Sequence, residues 1–127
     1  MTKTMLEHVN FTVPDAKASA QLMCDLFGWT VRWQGPAKGD GFTVHVGSED
    51  SYLALYTPPA APAAGERHVD VTGHMNHVGV VVDDLEAVEA KVRAAGFTPH
   101  NHADYEPGRR FYFDDDNGIE FEVVSYA

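Results

Sequence analysis

Cysteine is nearly missing from this chain. Cys24 is the only one, so no disulfide can form within it. It lies in QLMCDLFGW, inside a helical apolar pattern, which assigns it to packing rather than to nucleophilic chemistry. Basic residues are scarce as well, 9 Lys and Arg against 19 Asp and Glu, for a formal net charge of −10. That field repels phosphate backbones, and no basic patch offsets it, so nucleic acid is not an expected partner. No apolar run approaches the ~20 residues needed to span a bilayer. The opening MTKTMLEH lacks the apolar core of a signal peptide. These shortages lead us to expect a cytoplasmic protein that engages neither membrane nor nucleic acid. What is present, 127 residues of which 44% are hydrophobic, suffices for one domain with its own core.

The chain repeats itself. HVNFTVPD at residues 8–15 returns as HVGVVVDD at residues 77–84, each reading His-Val, three residues, Val, one residue, Asp. In the first half, an alternating strand MLEHVNFTV leads into a helix that starts at Pro14-Asp15 and stops at Gly28. Strands WTVRWQ, GFTVHVG and SYLALYT follow. The Pro/Ala-rich residues 58–73 have no periodicity and read as a linker. The second half then gives a strand HMNHVGVVV, an Asp-capped helix ending at Gly96, and strands FTPHNHADY, RRFYFDD and IEFEVVSY. Each half is strand, helix, strand, strand, strand. The expected fold is α+β: two βαβββ modules (1–57 and 74–127) in one domain of residues 1–127. They form a curved mixed-sheet cup with the helices on its outer face.

The repeat aligns on internal evidence. The offset is 69 between His8 and His77 (77 − 8) and 68 between Gly28 and Gly96 (96 − 28). Carried to the last strands, the second offset places Ala54 opposite Glu122. Strand alternation puts His8, Asn10 and Thr12 on one face and Val9, Phe11 and Val13 on the other. By the same rule His77, Arg110, Tyr112, Asp114, Glu120, Glu122, Tyr52 and Tyr56 share the polar face. A face that collects histidines, carboxylates and tyrosines suits a polar-lined pocket better than a solvated sheet. Two imidazoles in register across a repeat, with an inward carboxylate, suggest a divalent metal such as Fe(II), Mn(II), Zn(II), Ni(II) or Co(II). Glu120 and Glu122 both qualify by alternation; the repeat alignment selects Glu122.

Paired βαβββ modules opening with His-Val-x-x-x-Val-x-Asp resemble the vicinal oxygen chelate superfamily. That group contains glyoxalase I, extradiol dioxygenases, fosfomycin-resistance enzymes, methylmalonyl-CoA epimerase and bleomycin-binding proteins. The resemblance covers nearly the whole chain. It places metal ligands on the first and last strand of each module, at His8, Ala54, His77 and Glu122. Alanine cannot ligate, so the implied set is two histidines and one glutamate, as in the extradiol and fosfomycin-resistance enzymes. FYFDDDNGIEFE, residues 111–122, resembles the extradiol signature, with Tyr112, Asp115, Gly118 and Glu122 in register and Asp116 where Pro is usual. The same run also reads as a hairpin turn.

The resemblance implies roles. Tyr112 would contact metal-bound substrate oxygen, and an upstream histidine, His100 or His102, would handle protons; alternation puts both on one face. Arg110 would bind an anionic substrate group, whereas Arg109 reads as an exposed partner for surface acids. Asn10, Tyr52 and Tyr56 would line the substrate space. The cofactor is one divalent ion, Fe(II) or Mn(II) favoured over Zn(II), Ni(II) and Co(II). The ligand is a small molecule that chelates through adjacent oxygens, and the assembly a homodimer. Three chemistries remain open: extradiol-like dioxygenation, a redox-neutral lyase, isomerase or thiol transferase reaction, and metal-free binding of a small molecule or drug.

Overall fold

The computed structural model describes residues 4–65, 69–105 and 108–127. The chain divides into two compact units, Met1–Ala63 and Ala64–Ala127, each a βαβββ arrangement. The first contains β1 (His8–Thr12), α1 (Ala16–Phe27), β2 (Thr30–Pro36), β3 (Phe42–Gly47) and β4 (Tyr52–Thr57). The second contains β5 (Val78–Val81), α2 (Leu85–Ala94), β6 (His100–Tyr105), β7 (Gly108–Asp114) and β8 (Glu120–Ser125). Each unit has its own four-stranded mixed sheet, ordered β1-β4-β3-β2 and β5-β8-β7-β6. The opening strand pairs in parallel with the last strand of its unit, and the others are antiparallel. Residues 58–73 carry no helix or strand among those described, and Glu66, Arg67 and His68 of that expected linker lie outside the described residues. No helix among the described residues is long and apolar enough to cross a membrane.

The helices form where the sequence supplies caps. Asp15 accepts a hydrogen bond from the Ala18 amide and Asp84 one from the Ala87 amide, both at 3.1 Å, satisfying donors that the first turn leaves open. Gly28 ends α1 in the left-handed region, φ 70°, which costs a glycine little. The repeat extends to the joints. In the first unit Thr57 Oγ1 accepts from the Ala16 amide and donates to the Val13 carbonyl, tying the end of β4 to the β1–α1 turn. Ser125, 68 positions on, donates to the Asp83 carbonyl in the second unit.

Each helix covers one face of its sheet. α1 packs chiefly on β3 and β4, burying Ala16, Ala20, Met23 and Leu26 against Val44, Val46, Leu53 and Leu55. α2 packs on β7 and β8, where Leu85 and Val92 meet a core of Phe111, Phe113, Phe121 and Val123. The expected apolar face of β1 is only partly buried. Val13 is enclosed, but Val9 stays exposed, because β1 is an edge strand beyond the reach of α1.

The DDDNG segment is a hairpin turn organised by a buried carboxylate. Asp115 Oδ1 accepts from the Asn117 and Ile119 amides at 2.9 Å, while Gly118 adopts φ 76°. Burial pushes the Asp115 carboxyl above its ordinary value of 3.8, against the opposing pull of those amides. A carboxyl raised in the folded state adds stability below its unfolded value and loses it as pH climbs through the folded one. Asp115→Asn keeps an amide-accepting oxygen and removes the buried charge. The variant should therefore gain on wild type between pH ~4 and 7 in thermal midpoint. An unchanged difference between the two proteins across that range would contradict this account of the turn.

Candidate functional site

The polar face of the second sheet is built from β5, β8, β7 and β6. His77, just before β5, places Nε2 3.0 Å from Glu122 Oε1 on β8. Arg110 on β7 donates from Nη1 to the other oxygen, Oε2, at 2.7 Å. Both side chains of this pair are largely shielded from solvent, at 11% and 13% exposure. Glu122 lies directly across from Tyr112, whose ring meets the His77 ring edge-on at 5.9 Å. Three residues expected to share a face with Glu122 are thus gathered around its carboxylate.

His77 Nδ1 lies 2.8 Å from Asn76 Oδ1. The Asn76 amide nitrogen donates to the Val69 carbonyl at 3.4 Å, which turns its oxygen to the imidazole. In the tautomer whose Nδ1 donates to that oxygen, Nε2 has its lone pair available for an electrophile shared with Glu122.

The first unit repeats this device. His8 Nδ1 lies 2.9 Å from Glu7 Oε1, and Tyr52 also donates to that carboxylate oxygen at 3.2 Å. The His8 and Tyr52 hydrogen bonds hold Glu7 below its ordinary carboxylate value. His8 and Tyr52 are register partners with stacked rings 4.9 Å apart. Asn10 pairs with Ala54 in register, and Tyr56 donates to the Lys38 carbonyl at 3.0 Å. Ala54 is only 2% exposed, so the position matching Glu122 is filled in rather than open.

Two β-bulges change what alternation implied. In β6 the register shifts between His100 and Ala103, and Asn101 takes φ 53°. The extra residue reverses parity. His100 stays opposite Tyr112, but His102 turns to the helix side, where its Nε2 meets Glu89 of α2 at 3.0 Å and its ring lies beside Phe111. The expectation that His100 and His102 share a face is therefore corrected, and His102 is not among the residues gathered around Glu122. In β2 the shift between Val31 and Trp33 sets Trp33 opposite His45, with the rings 5.2 Å apart.

His45 stacks on Tyr52 at 4.6 Å, and the Arg32 guanidinium lies 4.5 Å from the Tyr52 ring centre. Desolvation, with His8 and Arg32 nearby, lowers the His45 pKa. These three residues were not singled out from sequence. His45 had a signal, since it alternates with Val44 and Val46; Trp33 and Arg32 depend on the bulge and had none. Arg109 pairs with Glu86 on α2, as expected of a surface arginine.

Comparison with known proteins follows from this geometry. Residues 5–123 match the family model described as the Glyoxalase/Bleomycin resistance protein/Dioxygenase superfamily. No curated protein matches the chain. Among solved structures, a glyoxylase/bleomycin resistance protein/dioxygenase domain from Frankia sp. EAN1pec is 16% identical with TM-score 0.79, covering 98% of each chain. Leishmania major glyoxalase I, described as trypanothione-dependent, is 15% identical with TM-score 0.79, over 98% of this chain and 88% of that one. A mutant of the fosfomycin resistance protein FosX from Listeria monocytogenes, complexed with Mn(II) and 1S,2S-dihydroxypropylphosphonic acid, is 15% identical. Its TM-score is 0.74, over 97% and 93% of the two chains. At these identities the likeness is one of fold.

Proposed function

Because the chain belongs to the Glyoxalase/Bleomycin resistance protein/Dioxygenase superfamily, we propose that it is a metal-dependent enzyme. It would take a small substrate chelating through adjacent oxygens, at a site made by His8, His77 and Glu122. One observation carries the reading: the residue before each module-opening histidine, Glu7 or Asn76, engages Nδ1. That leaves Nε2 for an ion, and for His77 it does so 3.0 Å from the Glu122 carboxylate. Ligands about 2.1 Å from a common ion lie roughly 3.0–3.4 Å apart when adjacent, so the His77–Glu122 spacing fits a shared divalent cation. Neutral imidazole with carboxylate suits Fe(II) or Mn(II), and also Zn(II), Ni(II) or Co(II). The Mn(II) of the FosX complex supports this class.

When bound, the ion supplies Lewis acidity and, if redox-active, access to oxygen chemistry. The chain supplies the rest. Tyr112, whose ring lies beside His77, would hold a hydrogen bond to substrate oxygen. Arg110, which donates to the carboxylate of Glu122, would take an anionic substrate group. Tyr52 and Asn10 line the face near His8. Extradiol-like oxygen chemistry is the finer reading, supported by the Tyr112 and Glu122 register, and a homodimer is the assembly the family resemblance supports.

One observation favours a second reading. The Arg110 guanidinium pairs with Glu122 and balances its charge without a metal, as a metal-free binding protein would need. Catechol, titrated into Mn(II)-loaded and metal-stripped protein, separates the two. The enzyme reading expects at least about tenfold tighter binding to the loaded form. Equal affinity for both forms would favour the binding protein.

A further inference from the structure

A second group of potential ligands lies on the same face of the second sheet. His100 on β6, Asp114 on β7 and Glu120 on β8 each offer one atom, and the three atoms lie within 4.8 Å of one another. His100 Nε2 is 3.3 Å from Asp114 Oδ2 and 4.0 Å from Glu120 Oε2. We propose that these three side chains form a divalent-cation site of their own, distinct from the one built on His77 and Glu122.

Three features support it independently. Asp114 and Glu120 are direct cross-strand partners in the antiparallel β7–β8 pair. Like charges placed so repel, and a divalent cation between them would relieve that repulsion. His100 Nε2 is fully buried yet has no hydrogen-bond partner among the described residues, even with a carboxylate oxygen nearby. A buried polar atom left so carries an uncompensated desolvation cost, which a coordinate bond to a metal would remove. The spacing is also that of a coordination shell. Donors about 2.0–2.2 Å from one ion lie roughly 3.0–3.4 Å apart as neighbours and about 4.2 Å apart across an octahedron, which brackets both distances.

The site is held by the fold. The β6 bulge turns His102 to the helix and keeps His100 over Tyr112, with the two rings stacked at 6.4 Å. Glu120 and Glu122 share a face two residues apart, about 6.7 Å along the strand. One imidazole and two carboxylates select Mn(II), Fe(II), Co(II) or Zn(II) over the all-oxygen preference of Ca(II). The bound ion would join β6, β7 and β8 and stabilise the sheet that carries His77 and Glu122.

The test does not depend on the proposed function. In protein carrying His77→Ala and Glu122→Gln, the first site is dismantled. Mn(II) titration followed by the loss of the free-ion EPR signal should still find one ion per chain, and saturating Mn(II) should raise the thermal midpoint. Adding Asp114→Asn should weaken that binding at least about tenfold and remove the rise in midpoint. His100→Gln should do the same. The proposal is overturned if the two-residue variant binds no Mn(II), or if Asp114→Asn, an exposed and conservative change, leaves the affinity unaltered.

Discussion

His77→Ala is expected to weaken the first metal site by roughly 100-fold or more while the protein stays folded. Changes in the partners of metal ligands typically cost 10–100-fold, and this change removes a ligand itself. The fold should tolerate it because His77 precedes β5 and, among the described residues, its ring contacts Asn76 and Glu122. None of the buried phenylalanines depends on it. Glu122 would keep Arg110 and so would not be left as an uncompensated charge. Metal affinity of the variant in the Asp114→Asn background, which silences the second proposed site, checks the expectation, with far-UV circular dichroism as the control. Wild-type affinity in a folded variant would remove His77 from the site.

Phe113→Ala should give the largest loss of stability, about 3–5 kcal/mol. Phe113 is almost wholly buried on the helix-facing side of β7. It stacks on Phe121 at 5.2 Å and lies 5.8 Å from Phe97. Truncation removes the transfer energy of a ring and leaves a cavity among rigid neighbours. Its strand neighbours Tyr112 and Asp114 lie on the opposite face, so a loosened β7 should also weaken metal binding. Urea unfolding measures the first effect. A loss below about 1 kcal/mol would mean that the core closes around the vacancy, against its close packing.

Much of this was legible in the sequence. The repeated His-Val-x-x-x-Val-x-Asp, with Gly28 and Gly96 as helix stops, set the module boundaries. Thr57 and Ser125, closing equivalent joints at the same 68-residue offset, agree with that alignment. The face shared by His77, Arg110, Tyr112 and Glu122 followed from period-two alternation, because β7 and β8 pair without a register shift. Among the described residues, alternation misjudged which face a side chain takes where a strand carries an extra residue. The bulge after His100 sent His102 to Glu89, and the one after Val31 brought Trp33 to His45. Neither Asn101 nor Arg32 announces a bulge, since both residue types also occur in regular strands. The hold of Glu7 and Asn76 on the histidines went unread for another reason. Adjacent strand residues point to opposite faces, and these contacts form where the chain is only entering the strand.

The central claim is that one histidine from each module and one glutamate hold a single ion. Co(II) titration followed by visible absorbance tests it most directly, in Asp114→Asn protein so that one class of site reports. His8→Ala, His77→Ala and Glu122→Gln, introduced one at a time, should each weaken the same binding event by roughly 100-fold. If His8→Ala binds Co(II) as tightly as its parent while the other two do not, the ion belongs to the second module alone and the shared site is wrong.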